Sequence, residues 1–348
     1  MAKVLKIKKN FGEKARIFLR KNNWLDTSRI IGRTAQKYLL LPLNKDFDET
    51  KLLKKFKDAQ IVDRSLQKLP TITGNLKDLL KEKKIVPEKH IDEVVNSFDI
   101  IGDIAILNIP KKLEKLEKSI AWTIKRFHPQ INVVAKKTSI IKGKYRKREL
   151  KVLVGNKKTT TTYLESGITM NMDLAKVFFT PRLSHERLRI ANLVKPKENI
   201  MVLFAGIGPF ALVIARKKPS SKVWAIELNP DAYKYMEENI RINRLTNIIP
   251  VKGDVKKVLP KIKEKFNRII AVLPKSAFDF LDVILKAAAK GTIVHFYVIM
   301  HENDVKTKLE KIKKAGKKFN KKIKILKKIK AGNYGPYIWR WCVDFQVS

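Results

Sequence analysis

A single cysteine, Cys342, stands among 348 residues. One thiol cannot build a disulfide framework or a cysteine-based metal site. The five histidines, at 90, 128, 185, 295 and 301, include no H-x-x-x-H spacing, so a histidine metal motif is absent as well. No apolar run reaches the length of a membrane span, and residues 1–10 hold no apolar core of a secretory leader. Together these absences predict a reducing, cytoplasmic setting, with no bound metal and no membrane. No segment stands out as a self-association element, which predicts a monomer. Acidic residues are scarce too. There are 33 of them against 76 Lys and Arg, a formal net charge of +43. A field of that sign and size favours a polyanion through steering and counterion release. A balanced ion-pair surface would need far more Asp and Glu.

What the chain does have is the stretch at 200–210, IMVLFAGIGPF, followed by Glu227 in VWAIELNP. An apolar strand that runs into a Gly-rich turn and a helix can cradle a nucleotide-like cofactor, and an acidic residue at the end of the next strand can take ribose hydroxyls. Gly206-Ile-Gly208-Pro209-Phe210-Ala211 formally fits the dinucleotide pattern G-x-G-x-x-G/A. Two features argue against NAD. The alternating strand–helix region begins only after a long basic α+β stretch, and Pro209 removes one N–H that a pyrophosphate would want. Three features favour S-adenosylmethionine: Glu227 followed by Asn229-Pro230; Gly253-Asp254 after the third strand, where a carboxylate can accept from the adenine amino group; and Val272-Leu273-Pro274-Lys275, which ends the fourth strand at the same crevice.

Residues 1–72 read as a small α/β module, with a helix at 11–22, a strand at 37–43 and a short helix at 49–59. Residues 73–85, rich in Lys with Thr and Gly, read as a linker. Residues 86–190 read as an α+β domain: a strand bent at Gly102 within 98–110, a helix at 113–127, strands at 131–136, 150–153 and 159–164, and a basic loop at 140–148. From 191 to 348 strands and helices alternate, which predicts a doubly wound parallel sheet. Segments 321–329 and 338–345 are positioned to add an antiparallel pair at its edge.

These residues together resemble the archaeal and eukaryotic tRNA (guanine37-N1)-methyltransferase family over nearly the whole chain. The resemblance is carried by FDIIGDIAILNIP at 98–110, GKYRKREL at 143–150, FFTPRLSHERLRIANLV at 178–194, FAGIGPF at 204–210, ELNPDA at 227–232, GDV at 253–255 and LPKSAFDFL at 273–281. It implies a class I S-adenosylmethionine-dependent methyltransferase domain behind an α+β domain and an N-terminal module that touches the outer corner of tRNA. The chain looks most like the archaeal branch that acts twice at position 37 of tRNA-Phe. That branch N1-methylates guanosine and C7-methylates 4-demethylwyosine to isowyosine.

The resemblance places Glu186 as general base for N1, which carries a proton at neutral pH. It matches Arg146 to a guanidinium that holds O6 as charge builds there. Phe178 would stack on the target base, with Tyr145 and Arg182 on the RNA. The expected cofactor set is Phe204, Ala205, Gly206, Gly208, Glu227, Leu228, Asn229, Asp254, Val255, Val272 and Pro274, with Arg187 forking onto the methionyl carboxylate. Read without the resemblance, Glu186 is a helix-surface carboxylate paired with Arg182 or Arg189, Arg146 is a phosphate contact, and Phe178 is a core aromatic. Two residues depart from the family pattern. Val202 stands where Asp is usual, and Val272 where Asn precedes Leu-Pro. The rival readings are a non-catalytic tRNA-binding relative and an NAD enzyme.

Overall fold

The computed structural model describes residues 2–26, 28–34, 37–67, 76–94, 98–128, 130–138 and 149–348. By its internal contacts the chain divides into two units, 1–91 with 126–128, and 92–125 with 129–348.

In the first unit β1 (Ala2–Lys8) is flanked by a strand on each edge and buries side chains on both faces, Val4 on one and Leu5 and Ile7 on the other. With α1 (Gly12–Lys21), β2 (Gly32–Arg33), β3 (Tyr38–Pro42), α2 (Glu49–Lys55) and β4 (Gln60–Arg64) it forms an antiparallel sheet of order β2-β3-β1-β4. Asp48 caps α2 by accepting from the Lys51 N–H, an orphan donor of the first turn. The strands at 2–8 and 60–64 escape the sequence reading. The expected linker is corrected as well. Its residues 73–75 lie outside the described set, but Leu76–Glu82 form α3 and bury Leu79 and Leu80. The Lys-rich run there is a solvated helix face.

The second unit opens with the hairpin β5 (Asp99–Ile101) and β6 (Ile104–Leu107), turned at Gly102 with φ +59°. A Cβ there would sit 2.1 Å from Thr161 Oγ1, so only glycine fits. The helix expected from 113 starts later, as α4 (Glu117–Phe127), after a 3-10 turn capped by Pro110. It carries the chain across to β7 (Val133–Lys137), parallel to β6, and β8 (Leu150–Gly155) completes a sheet of order β5-β6-β7-β8.

The hairpin β9 (Thr160–Glu165) and β10 (Ile168–Asp173) follows, then α5 (Ser184–Leu193). The remaining elements alternate: β11 (Asn199–Leu203), α6 (Pro209–Lys217), β12 (Lys222–Glu227), α7 (Pro230–Ile242), β13 (Ile248–Lys252), α8 (Val255–Val258), β14 (Arg268–Ala271), α9 (Leu281–Ala287), β15 (Ile293–His301), α10 (Val305–Lys318), β16 (Ile323–Gly335) and β17 (Ile338–Val347). The seven-stranded sheet has the order β13-β12-β11-β14-β15-β17-β16, with β17 antiparallel to both neighbours. Both faces are covered, as a parallel sheet requires. Along β11 the pleat sends Ile200 and Val202 into one core and Met201 and Leu203 into the other.

The first of these cores runs from Ile101 to Cys342, so the expected boundary at 190 does not separate two cores. The hairpin is also tied to α7. The Asn243 side chain accepts from Thr169 N at 2.9 Å and donates to Thr169 O, while Asn239 accepts from Asn171 N at 2.7 Å and donates to Asn171 O.

Candidate functional site

The chain leaves β11 toward β12 on one side of the sheet and β14 lies on the other, so the carboxyl ends of these strands open at a switch in strand order. Such a point is where open α/β sheets bind ligands. A crevice of about 440 Å³ lies there. Its floor is the turn between β11 and α6. Gly206 (φ +59°) has open space where a Cβ would stand, its nearest neighbour being Phe178 O at 3.8 Å. A ligand can therefore approach the backbone closely. Gly208 (φ +91°) caps α6, and Pro209 occupies its first turn, where a missing N–H costs nothing.

Glu227 ends β12, and its carboxylate straddles two backbone donors, Gly206 N at 2.6 Å and Asn229 N at 2.7 Å. This contact clamps the Gly-rich turn to the next strand. Asn229 caps α7 and donates to Lys176 O at 3.0 Å. Asp254 caps α8 by accepting from Lys256 N. Phe204 packs edge-on against Phe280, with ring centroids 4.7 Å apart.

Phe178, Phe204, Gly206, Glu227, Leu228 and Asn229 line the crevice, as do Asp254, Val255 and Val272. Ala205, Gly208 and Pro274 are buried behind it. There Ala205 N donates to Ile226 O, and Pro274 O accepts from Ile299 N. Tyr145 and Arg146 lie outside the described residues. Arg182 does not reach the crevice; its Nε donates to Asp99 Oδ1 at 2.8 Å on the surface. Val202 is 1% exposed inside the sheet, so its apolar side chain serves packing.

The expectation for Arg187 is corrected. Its side chain is buried and forks onto Glu165, Nε to Oε1 at 2.6 Å and Nη2 to Oε2 at 2.5 Å, with further bonds to Thr180 O. A guanidinium engaged in this way ties α5 to the β9 strand and is not offered to a cofactor carboxylate. Glu186, the next residue back, points into a different network. Arg189 donates to both of its oxygens at 2.9 Å, and the buried Tyr297 hydroxyl donates to Oε2 at 2.8 Å. Of the two partners that spacing alone offers, Arg182 and Arg189, the fold uses Arg189, while Arg182 bonds Asp99. Tyr297 was invisible to spacing, being on β15.

The network continues inward. Arg189 also donates to Asp344, which accepts from His295 Nδ1 at 2.6 Å and from the Cys342 thiol at 3.1 Å. His295 Nε2 faces Arg268 Nη1 at 2.6 Å, and Arg268 is forked onto Glu198. A guanidinium has only donors, so Nε2 must accept and His295 is neutral with its proton on Nδ1. Burial, together with Arg268 and Arg189, pulls His295 below its ordinary value. Burial pushes Asp344 up, but His295 and Arg189 outweigh it and hold its carboxyl at about 2.

Both shifts act against acid. The unfolded chain takes up the histidine proton below about pH 6.5 while the fold refuses it. The contribution of Asp344, about 2 kcal/mol, is complete above its unfolded value and is lost as pH falls toward 2. Melting temperature followed from pH 7 to 2 is therefore expected to fall in two stages, with the lower stage smaller in Asp344→Asn. A profile flat from pH 7 to 4 would contradict the assignment of His295.

Family models match along the chain: the tRNA methyltransferase 5 N-terminal domain at 5–51, the TYW2 N-terminal domain at 76–159, and the TRM5/TYW2 methyltransferase domain at 161–326. The tRNA (guanine(37)-N(1))-methyltransferase Trm5b of Pyrococcus abyssi is 36% identical over 84% of this chain and 86% of its own. Trm5b of Methanocaldococcus jannaschii is 34% identical over 99% and 98%. The tRNA 4-demethylwyosine(37)-methyltransferase Taw21 of Saccharolobus solfataricus is 35% identical over 61% and 80%.

Among solved structures, the complex of aTrm5 with tRNALeu covers 99% of each chain at TM-score 0.70 and 32% identity. Pyrococcus horikoshii TYW2 in complex with MeSAdo covers 78% of this chain and 97% of its own at TM-score 0.64 and 26% identity. Among the described residues no helix is long and apolar enough to cross a membrane. With its N-terminal module, its α+β sheet and its doubly wound domain all matched in order, the chain belongs to the TRM5/TYW2 methyltransferase family.

Proposed function

We propose that this protein methylates position 37 of tRNA with S-adenosylmethionine, N1-methylating guanosine and C7-methylating 4-demethylwyosine in tRNA-Phe. The observation that carries the reading is the crevice at the switch point, where Glu227 straddles Gly206 N and Asn229 N beneath an open glycine backbone. When bound there, S-adenosylmethionine supplies an electrophilic methyl group. Glu227 would accept from the ribose hydroxyls with its remaining lone pairs, and Asp254 from the adenine amino group. Phe178 on the crevice wall would stack on an unpaired base. Arg146 would hold O6.

Glu186 would take the N1 proton, and for the C7 reaction the proton from the attacked carbon. Its oxygens already accept three hydrogen bonds from Arg189 and Tyr297, so the N1 proton would come to the remaining lone pair on Oε1. The N-terminal unit would meet the outer corner of tRNA, one monomer to one tRNA, in the cytoplasm. The +43 charge supports a polyanionic substrate.

Val272 on the crevice wall favours a second reading, an enzyme narrowed to the C7 target, because an apolar side chain cannot hold a guanine edge as an amide does. Labelled S-adenosylmethionine with two tRNA-Phe transcripts, one carrying guanosine and one 4-demethylwyosine at 37, separates the readings. Label on both is the expected result. Label on the tricyclic base alone selects the second reading, and label on neither, with cofactor bound, selects a non-catalytic relative. Glu186→Gln is expected to lower transfer to either base by about 10²-fold or more, the usual scale of a general base. Full activity on either base would remove Glu186 from that role.

A further inference from the structure

We infer that the tip of the β16–β17 hairpin is a second RNA contact, an aromatic platform beside the crevice that takes an unpaired base flanking the target nucleotide. This rests on the reading of the protein as a tRNA methyltransferase.

The placement follows from register. β14 ends at Ala271 opposite Phe296, but β15 runs on to His301, opposite Ile338. At about 3.3 Å per residue the sheet rises roughly 16 Å beyond the end of β14 on this side. β15 is parallel to the strands that form the crevice, so the turn between Gly335 and Ile338 lies at the same edge of the sheet. Lys275 links the two places. It lines the crevice, and its Nζ lies over the Tyr334 ring, 5.9 Å from the centroid.

The tip carries two tyrosines, Tyr334 at 47% and Tyr337 at 68% exposure. Tyr337 is also strained. It stands at φ +57° in the two-residue turn Pro336-Tyr337. Glycine or asparagine is the ordinary choice at such a position, and a bulky residue there is an outlier. His301 makes a tilted ring contact with it at 6.0 Å between centroids, yet most of the Tyr337 ring stays in solvent, so packing accounts for only part of the choice. Backbone strain kept for an exposed aromatic points to a ligand. Stacking rings beside lysine suit a single-stranded nucleic acid, because every base offers a π-face and every linkage a phosphate. The loop that presents position 37 is unpaired and has such bases on either side.

The test uses the full chain with Tyr337→Gly, Tyr334→Ala, the double variant, and Tyr→Phe at both positions. Affinity for tRNA, KM and kcat for methyl transfer, cofactor affinity and melting temperature are measured for each. The double variant is expected to weaken tRNA binding and raise KM about tenfold or more, the scale of losing a stacked base, with cofactor affinity unchanged. The Phe variants should retain binding. Tyr337→Gly relieves the strain, so its melting temperature should hold or rise while its tRNA affinity falls. A lower melting temperature in Tyr337→Gly would show that the ring serves packing and would overturn the inference. So would unchanged tRNA affinity in the double variant while the wild type methylates normally. A wild type that neither binds nor methylates tRNA would overturn this inference together with the proposed function.

Discussion

Glu227→Ala is expected to weaken S-adenosylmethionine binding by about 10²-fold or more and to bring methyl transfer down with it. The carboxylate accepts from Gly206 N and Asn229 N at 2.6 and 2.7 Å, short distances of the charge-assisted kind. Hydrogen bonds to a charged group contribute on the order of 1.5–3 kcal/mol each. Truncation removes both, leaves two amide donors facing an emptied space, and leaves the Gly-rich turn tied to β12 through the Ala205 N to Ile226 O bond without its side-chain clamp. Glu227→Gln is the sharper probe. Its amide nitrogen must face one of the two N–H donors, so an intermediate loss is expected. Titration calorimetry with the cofactor measures both variants. Wild-type affinity in the Gln variant would show that the clamp contributes nothing to binding.

The second large effect is on stability. Arg187→Ala strands Glu165 beside an empty site, and Glu165→Ala strands a guanidinium in the core. Both side chains are at most 5% exposed. Breaking a buried pair from one side costs about 3–5 kcal/mol, so either variant should melt far below the wild type. The double variant Glu165→Leu with Arg187→Met removes both charges, and it should recover much of the loss. It also separates the two roles considered for Arg187. A guanidinium that held the methionyl carboxylate would take cofactor affinity away with it, whereas one that ties α5 to β9 leaves affinity intact at temperatures where the double variant is folded. Intact affinity is the expected result.

Much of the doubly wound domain was legible because each strand is a short apolar run closed by its own turn residues. FAGIGPF, ELNP and GDV each mark a strand's carboxyl end, and those ends converge in three dimensions. Nine of the expected cofactor and base contacts line one crevice for that reason. What local pattern could not reveal was the partner of a buried charge. Glu186 and Arg187 are adjacent in the chain, yet one faces Arg189 and Tyr297 and the other Glu165. Only the fold decides which side of α5 each occupies. β10, with the sequence ITMNMD, was missed because its outer edge is satisfied by asparagines about 70 residues further on. The run at 76–82 read as linker because helical burial there rests on only two leucines among lysines.

Those asparagines have a consequence for how the protein behaves at high concentration. A two-stranded ribbon leaves N–H and C=O groups along its outer edge, and an open edge templates pairing with another chain. Here Asn239 of α7 and Asn243 at its C-terminal cap meet Asn171 and Thr169 of β10, donor and acceptor alike, as a neighbouring strand would. Asn239 donates to Ile207 O as well, in the turn that floors the crevice. One of the two amides that cover this edge of the ribbon, Asn239, therefore also fastens it to the Gly-rich turn. A chain that loses them presents a sticky edge and a loosened floor at once.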